Sequence, residues 1–310
     1  ILLGTNPKIE TPIINHKIFK AYNNNSRIFN IGENIPLNYQ TEYLGEKLSN
    51  LNNEKLIKAL KKSFNPLIII GSAFLNKIKN IKTLKSIFSF ADKYNVITKD
   101  KNNLNFLNPY ASRVGQLILG NTTKNLCEPF SKLKKEKFEI VLSFGSEHIA
   151  SEQFDNCFRV YFGHHGDEGA MKSDIILPTP LYTEKNGIFV NIEGRPQEAK
   201  KCHNPIGSAK EEWSIIKKLS EEFSFVFKPN TFEQLRSELL KKYANLSNLN
   251  EILSNDNTSP IITDIEFEDC KTQYPINNFY MSDIISKNSV TMAKCVEEII
   301  PTPSLLEKSA

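Results

Sequence analysis

The 310 residues of this chain are enough for one large domain or two ordinary ones, each with its own core. Apolar residues make up 40%, yet the longest apolar runs, such as Leu67–Ile70, are far too short to cross a bilayer, which points to a soluble chain. The net charge of +4, from 39 basic and 35 acidic residues, is interleaved with apolar positions ("NKIKNIKTLKSIF", "SKLKKEKFEI"), the texture of solvated helix faces and not of a nucleic-acid patch.

In chain order, the first element is "ILLGTNP" (1–7), an apolar run closed by a turn. It opens without Met, signal peptide or Arg-rich transit segment, so either further chain is expected before Ile1 or the sequence begins late. "PLIIIGSAF" (66–74), "FEIVLSFGSEH" (138–148), "CFRVYFGHHGD" (157–167) and "SDIILPTP" (173–180) repeat the same form. Short apolar runs bounded by turn residues suit strands buried on both faces. Helical spacing at Leu56–Leu60 and Phe88–Ala91 fills the intervals, and strand, glycine turn, helix, strand is the parallel α/β pattern. Gly4, Gly71, Gly145 and Gly163 then fall at the carboxyl ends of strands, where such sheets bind ligands. None of these turns reads GxGxxG or GxxxxGK[ST], so a dinucleotide or P-loop site has no direct support.

"LYTEKNGIFVNIEGRPQ" (181–197) differs in texture from its surroundings. Asn186-Gly187 predicts a two-residue type I′ hairpin, with Lys185 opposite Ile188, Glu184 opposite Phe189, Thr183 opposite Val190 and Tyr182 opposite Asn191. One face would then show Leu181, Thr183, Ile188, Val190 and Ile192, and the other Tyr182, Glu184, Asn191 and Glu193, with Arg195 beyond the next glycine. Two carboxylates and an arginine on one face could be an acid/base pair, but they are more often a salt-bridged network that holds a loop. "FGSEH" is no nucleophile elbow. His164-His165 with Asp167 suggests a turn more than a metal site, because adjacent side chains at a strand end point apart.

Further on, Ser208–Glu211 reads as a capping box ahead of Trp213, Ile216, Leu219 and Phe223, and Thr231–Gln234 as another ahead of Leu235, Leu239 and Tyr243. "NLSNLNEILSNDNTSP" predicts a loop, and one amphipathic helix is expected over Met281–Ile299, capped by Ser282 or Asp283. The domain reading is 1–243 α/β domain, 244–278 loop or linker, 279–310 terminal helix and tail. The five cysteines, 127, 157, 202, 270 and 295, form no CxxC pair and suit buried, inert thiols in a reducing compartment. Cys202-His203 is poor geometry for joint chelation. Only five of the 39 basic residues are Arg, a bias that suits an AT-rich coding sequence and so an organellar or an AT-rich genome.

"SDIILPTPLYTEKNGIFVNIEGRPQ" and "GSAKEEWSIIKKLSE" resemble the molybdopterin-oxidoreductase superfamily: a strand ending in LP, then an EK-x-G hairpin and an N-x-E-G-R turn. "LLGTNPKIETPIINHKI", "VYFGHHGDEGA" and "NFYMSDIISKNSVTMAKC" are similar within it to the large iron–sulfur subunits of mitochondrial respiratory complex I. The resemblance runs in order over nearly the whole chain, on sequence order alone at 31–65 and 75–135. It implies a Rossmann-like parallel sheet with C-terminal helices, the C-terminal portion of such a subunit. Iron–sulfur modules would lie upstream or on a separate chain, and FMN in another partner. It implies no cofactor or catalytic residue here, only a relic pocket for which Gly163, His164, Glu184, Asn191, Glu193 and Arg195 are the candidates. The implied setting is the matrix side of the mitochondrial inner membrane, peripheral, against other peripheral-arm subunits. An active relative would need a Cys, Sec, Ser or Asp ligand after an early strand and a β-rich C-terminal domain over the cofactor; no train of alternating strands follows Tyr243. A fragment of an active, formate-dehydrogenase-like enzyme is the alternative, and a generic nucleotide-binding α/β protein a distant third.

Overall fold

The computed structural model describes residues 1–75, 81–108, 110–120, 138–146, 154–252, 267 and 278–299. Two compact units emerge, one formed by Ile1–Ala111 with Ser254–Phe279, the other by Ser112–Leu253 with Tyr280–Ala310. That division falls between Ala111 and Ser112, inside the span 1–243 that reads as one domain in the sequence.

The first unit is built on five parallel strands: β1 (Leu2–Leu3), β2 (Phe29–Ile31), β3 (Glu42–Gly45), β4 (Ile68–Ile70) and β5 (Leu104–Phe106), in the order β3-β2-β1-β4-β5. Ile68, Ile69 and Ile70 are all buried, as expected of β-branched residues in a strand covered on both sides. Their side chains alternate between two cores. Leu3, Ile68 and Ile70 meet Leu56, Leu60, Ile87, Phe90 and Ala91 on one face, whereas Leu2 and Ile69 meet Ile18, Ile28 and Tyr39 on the other. Leu56 and Leu60 share a helix, Glu54–Lys62, one turn apart; Asn53 caps it by accepting the Lys55 N–H at 2.9 Å. Phe90 and Ala91 lie on the helix Ile81–Lys93, and Phe267, within the segment read as a linker, packs edge-on to Phe90 at 6.0 Å. Tyr39 donates to Asn15 Oδ1 at 2.8 Å, and burial pushes its hydroxyl up to about 12.

The second unit holds a parallel sheet of β6 (Ile140–Phe144), β7 (Phe158–Gly163) and β8 (Ile175–Pro178), with β7 central, and an antiparallel pair, β9 (Gly187–Val190) with β10 (Pro196–Ala199). All five apolar runs read from the sequence are strands, and Gly4, Gly71, Gly145 and Gly163 stand at their carboxyl ends. The fold is the expected parallel α/β architecture.

Thr231 does cap the helix Phe232–Lys242, accepting from Gln234 N at 3.3 Å, while the Gln234 amide oxygen takes the Asn230 N–H at 2.7 Å. The box at Ser208–Glu211 does not form. The helix starts at Glu212, and Glu211 instead accepts the Trp213 indole N–H at 2.6 Å. The single terminal helix is two, Ile284–Lys287 and Val290–Ile299, parted at Asn288-Ser289. Asn288 Nδ2 donates to Ile284 O at 2.7 Å, the side-chain competition with backbone that makes Asn a helix stop. Asp283 caps the first piece by accepting from Ile285 N and Ser286 N. Burial alone would raise its carboxyl, but these bonds, the Ser286 hydroxyl and Lys287 bring it below the usual carboxylate range. No helix among the described residues is long and apolar enough to cross a membrane. Cys157 and Cys295 are half-buried free thiols; Cys202 is exposed, against expectation, and Cys127 and Cys270 lie outside the described residues.

Candidate functional site

The candidate residues gather in the second unit, where β7 ends. Gly163 is its last residue, and a Cβ there would stand 2.3 Å from Tyr161 Cε1. The glycine is therefore required by the Tyr161 ring folded against it, not by a left-handed backbone. Tyr161 donates from its hydroxyl to Asp167 Oδ2 at 2.7 Å, and Asp167 Oδ1 accepts the Ala170 N–H at 2.7 Å, capping the short helix Glu168–Met171. So Asp167 acts through the turn, as the sequence suggests.

His164 and His165 do not point apart. Their rings stand perpendicular with centroids 4.9 Å apart, and the two Nδ1 atoms approach to 2.6 Å. Only one of two nitrogens so close can carry the proton, so at least one ring presents a bare Nδ1 to its neighbour. Burial holds the His164 imidazole below its ordinary range, with the His165 and Lys185 charges acting in the same sense and Glu212 and Glu184 opposing. That set of neighbours places Glu184, Lys185 and Glu212 around His164. Lys185 Nζ is ion-paired to Glu212, with both side chains half-buried.

Glu184, read as lying on an outward strand face, is 7% exposed. Residues Tyr182–Glu184 form a 3₁₀ turn and not a strand: the Glu184 N–H donates to Leu181 O at 2.9 Å, and Glu184 Oε2 accepts the Leu181 N–H at 3.0 Å. Its other oxygen stands 3.7 Å from His203 Nδ1. Committed to this turn, the carboxylate is poorly placed for acid/base work.

The hairpin itself is displaced. Val190 pairs with Pro196 and Gly187 with Ala199, so the apex is Asn191–Arg195, not Asn186-Gly187. Asn191 explains the shift. Its Oδ1 accepts from Glu193 N at 3.0 Å and Arg195 N at 2.9 Å, its carbonyl accepts from Gly194 N, and its N–H donates to Arg195 O. Gly194 supplies the left-handed residue at φ +83°. Ile192, expected inward, is exposed at this apex. Arg195 donates to the Asn250 carbonyl and lies 3.8 Å from Glu193 Oε2. The candidates thus divide into two groups: Gly163, His164 and Glu184 at the strand end, and Asn191, Glu193 and Arg195 tying a loop. Gly194→Ala should cost about 1–2 kcal/mol in denaturant unfolding, for the left-handed backbone. Gly187→Val, whose added Cβ would meet only Phe189 Cε2 at 3.4 Å among the described residues, should cost less than about 1 kcal/mol. The reverse ranking would restore the Asn186-Gly187 turn.

The sequence profile described as "Molybdopterin oxidoreductase" matches residues 1–222. The chain belongs to that family. A second profile, for the C-terminal region of the NADH-ubiquinone oxidoreductase G subunit, matches residues 248–295 of this molybdopterin-oxidoreductase-family chain. It is 35% identical over 307 residues to the NADH-quinone oxidoreductase G subunit of Rickettsia bellii (strain RML369-C), covering 96% of the chain and 43% of that protein. Against the NADH-ubiquinone oxidoreductase 75 kDa subunit of Reclinomonas americana it is 36% identical over 312 residues, covering 95% and 44%. The NADH-quinone oxidoreductase G subunit of Rickettsia prowazekii (strain Madrid E) is similar at 35% over 304 residues, 96% and 44%. The chain spans less than half the length of these relatives.

Membership raises the question of a molybdenum–pterin group. The Cys, Asp and Ser donors beside β4 and β7 do not fit one. Cys157 precedes β7, at the wrong end of the sheet; Asp167 is spent on its cap and Tyr161, and the Ser72 hydroxyl after β4 is bonded to Glu10. Among the described residues no group of three His, Cys, Asp or Glu side chains is disposed to hold a metal ion. Of the residues around His164, the sequence reading missed Lys185 and Glu212, whose only signal is that each adjoins a glutamate in the two family-like stretches.

Proposed function

We propose that this chain is a non-catalytic portion of the large iron–sulfur subunit of a respiratory NADH–quinone oxidoreductase, complex I, in its peripheral arm. The observation that carries the proposal is the collinear likeness to subunits of NADH-quinone and NADH-ubiquinone oxidoreductases over 95–96% of the chain, from the first strand to the terminal helices. The second profile, specific to that oxidoreductase at residues 248–295, adds to it, since that stretch lies beyond the part matched by the wider family. Iron–sulfur clusters and FMN then belong to partner modules: the cluster-bearing N-terminal part of the same subunit, upstream or separately encoded, and neighbouring peripheral-arm subunits. The setting is the matrix side of the mitochondrial inner membrane, supported by the AT-rich spelling and the likeness to the Reclinomonas americana subunit. Polar side chains beside His164 serve here to hold loops, because Glu184 accepts the Leu181 N–H and Asp167 accepts the Ala170 N–H and the Tyr161 hydroxyl.

A fragment of an active molybdenum enzyme is the less supported reading, given the committed donors at the strand ends. Purification of the native assembly, with mass spectrometry and elemental analysis, separates the two. A cluster-bearing chain and NADH oxidation should copurify with this one. Stoichiometric molybdenum on this chain, with no cluster-bearing partner, would overturn the proposal.

A further inference from the structure

In the first unit, the strand order β3-β2-β1-β4-β5 reverses direction at β1 and β4, which are hydrogen-bonded neighbours. The chain leaves β1 toward β2 on one side and leaves β4 toward β5 on the other. Such a switch point opens a crevice outside the carboxyl ends of the two strands, the usual ligand position in open parallel sheets. Here the crevice is already occupied by a carboxylate of the same chain. Glu10 Oε2 accepts the Thr5 hydroxyl at 2.5 Å from the turn after β1. Glu10 Oε1 accepts the Ser72 N–H at 3.1 Å, and the Ser72 hydroxyl as well, from the turn after β4. Thr5 and Ser72 are fully buried, so these donors face the carboxylate and not solvent.

The two turns also close on each other. A Cβ on Gly71 would lie 2.4 Å from Gly4 O, and one on Gly4 would lie 2.3 Å from Phe74 Cδ2. Asn6 sets the carboxylate in place from the other direction. Its side chain accepts the Lys8 N–H at 3.2 Å and starts the one-turn helix Pro7–Glu10, which ends on Glu10.

We propose that Glu10 is a built-in ligand of the switch-point crevice: its carboxylate sits where an exogenous anionic group would bind, joins the two turns, and keeps the first sheet closed to nucleotides and other phosphorylated molecules. Two hydroxyls and one main-chain N–H converging on a carboxylate are charge-assisted donors, and the same set would serve a small anion. This inference stands independently of the role in complex I, since it concerns the first sheet alone.

The test is thermal unfolding of the full chain as wild type, Glu10→Ala and Glu10→Gln, with formate and inorganic phosphate titrated against sodium chloride at matched ionic strength. Glu10→Ala should melt roughly 4–8 °C below wild type, from the loss of three hydrogen bonds to a charged group. Formate should recover a measurable part of that loss, and neither formate nor phosphate should shift the wild type. If Glu10→Ala does not yield folded chain, Glu10→Gln decides: it keeps the shape but places an amide N–H₂ against donors, and should melt below wild type. A Glu10→Gln or Glu10→Ala chain that melts with the wild type would overturn the proposal. So would phosphate or a nucleoside diphosphate that raises the wild-type melting temperature as much as the variant's.

Discussion

Gly71→Ala should be among the most damaging single-methyl additions possible in this chain. The new Cβ would stand 2.4 Å from Gly4 O, 2.5 Å from Thr5 Cβ and 2.6 Å from Thr5 Cα. Two of these are backbone atoms of the neighbouring turn, so no side-chain rotation relieves the clash; β1 and β4 must separate at their carboxyl ends. Separation breaks the hydrogen bond from Gly71 N to Leu3 O at 2.9 Å and pulls Ser72 from Glu10. Overpacking with backbone displacement costs about 1–3 kcal/mol, and the broken bonds add to it, so an overall loss of about 3–4 kcal/mol is expected. Gly166→Ala is the control, since a Cβ there meets nothing within 4 Å among the described residues. Urea unfolding of the two variants should separate them by most of that amount. Equal midpoints would mean that the two turns are not held in contact in solution.

The sequence carried the sheet wherever a strand is buried on both faces, because such a strand is a continuous apolar run. It did not carry β2, β3 or β5, whose "FNI", "EYLG" and "LNF" are short and partly polar. Those strands exist because β1 and β4 offer them an edge, a tertiary cause with no local spelling. The hairpin shows the opposite failure. Asn186-Gly187 is a strong local signal, yet Asn191 four residues later satisfies three backbone donors and acceptors besides its own amide, and Gly194 provides the left-handed step. Once the apex moves, Glu184 is released from the strand and turns back onto Leu181. For the site, the strand-end rule brought out Gly163 and His164, while the Lys185–Glu212 pair depends on two segments meeting and was not legible. Glu10 shares that fate: its partner Ser72 is 62 residues away.

Arg159 makes the last case, a charged residue within "CFRVYFG", a run read as apolar strand. Its side chain is 7% exposed, and three of its nitrogens are used. Nε donates to Phe154 O at 2.8 Å, Nη1 to Lys172 O at 3.2 Å and Nη2 to Asp155 Oδ1 at 2.5 Å. Its main-chain N–H meets Asp174 Oδ2 at 2.7 Å, and its carbonyl accepts from Asp174 N at 3.0 Å, where β8 begins. The guanidinium thus joins the segment before β7 to the turn before β8, with a planar fork that no other side chain reproduces. The partners contribute unequally. Asp155 is 57% exposed, so its ion pair is screened and Asp155→Ala should cost less than about 1 kcal/mol. Arg159→Met keeps apolar bulk but removes the guanidinium bonds to two carbonyls, those of Lys172 and of buried Phe154, the latter keeping the Cys157 N–H, and should cost about 2–4 kcal/mol. Arg159→Lys should fall between, because a single ammonium cannot hold both carbonyls at their present directions. Denaturant midpoints of the three variants, measured on the full chain, give the ranking directly. If Asp155→Ala proved as costly as Arg159→Met, the ion pair and not the carbonyl bonds would be holding β7 to its flanking turns.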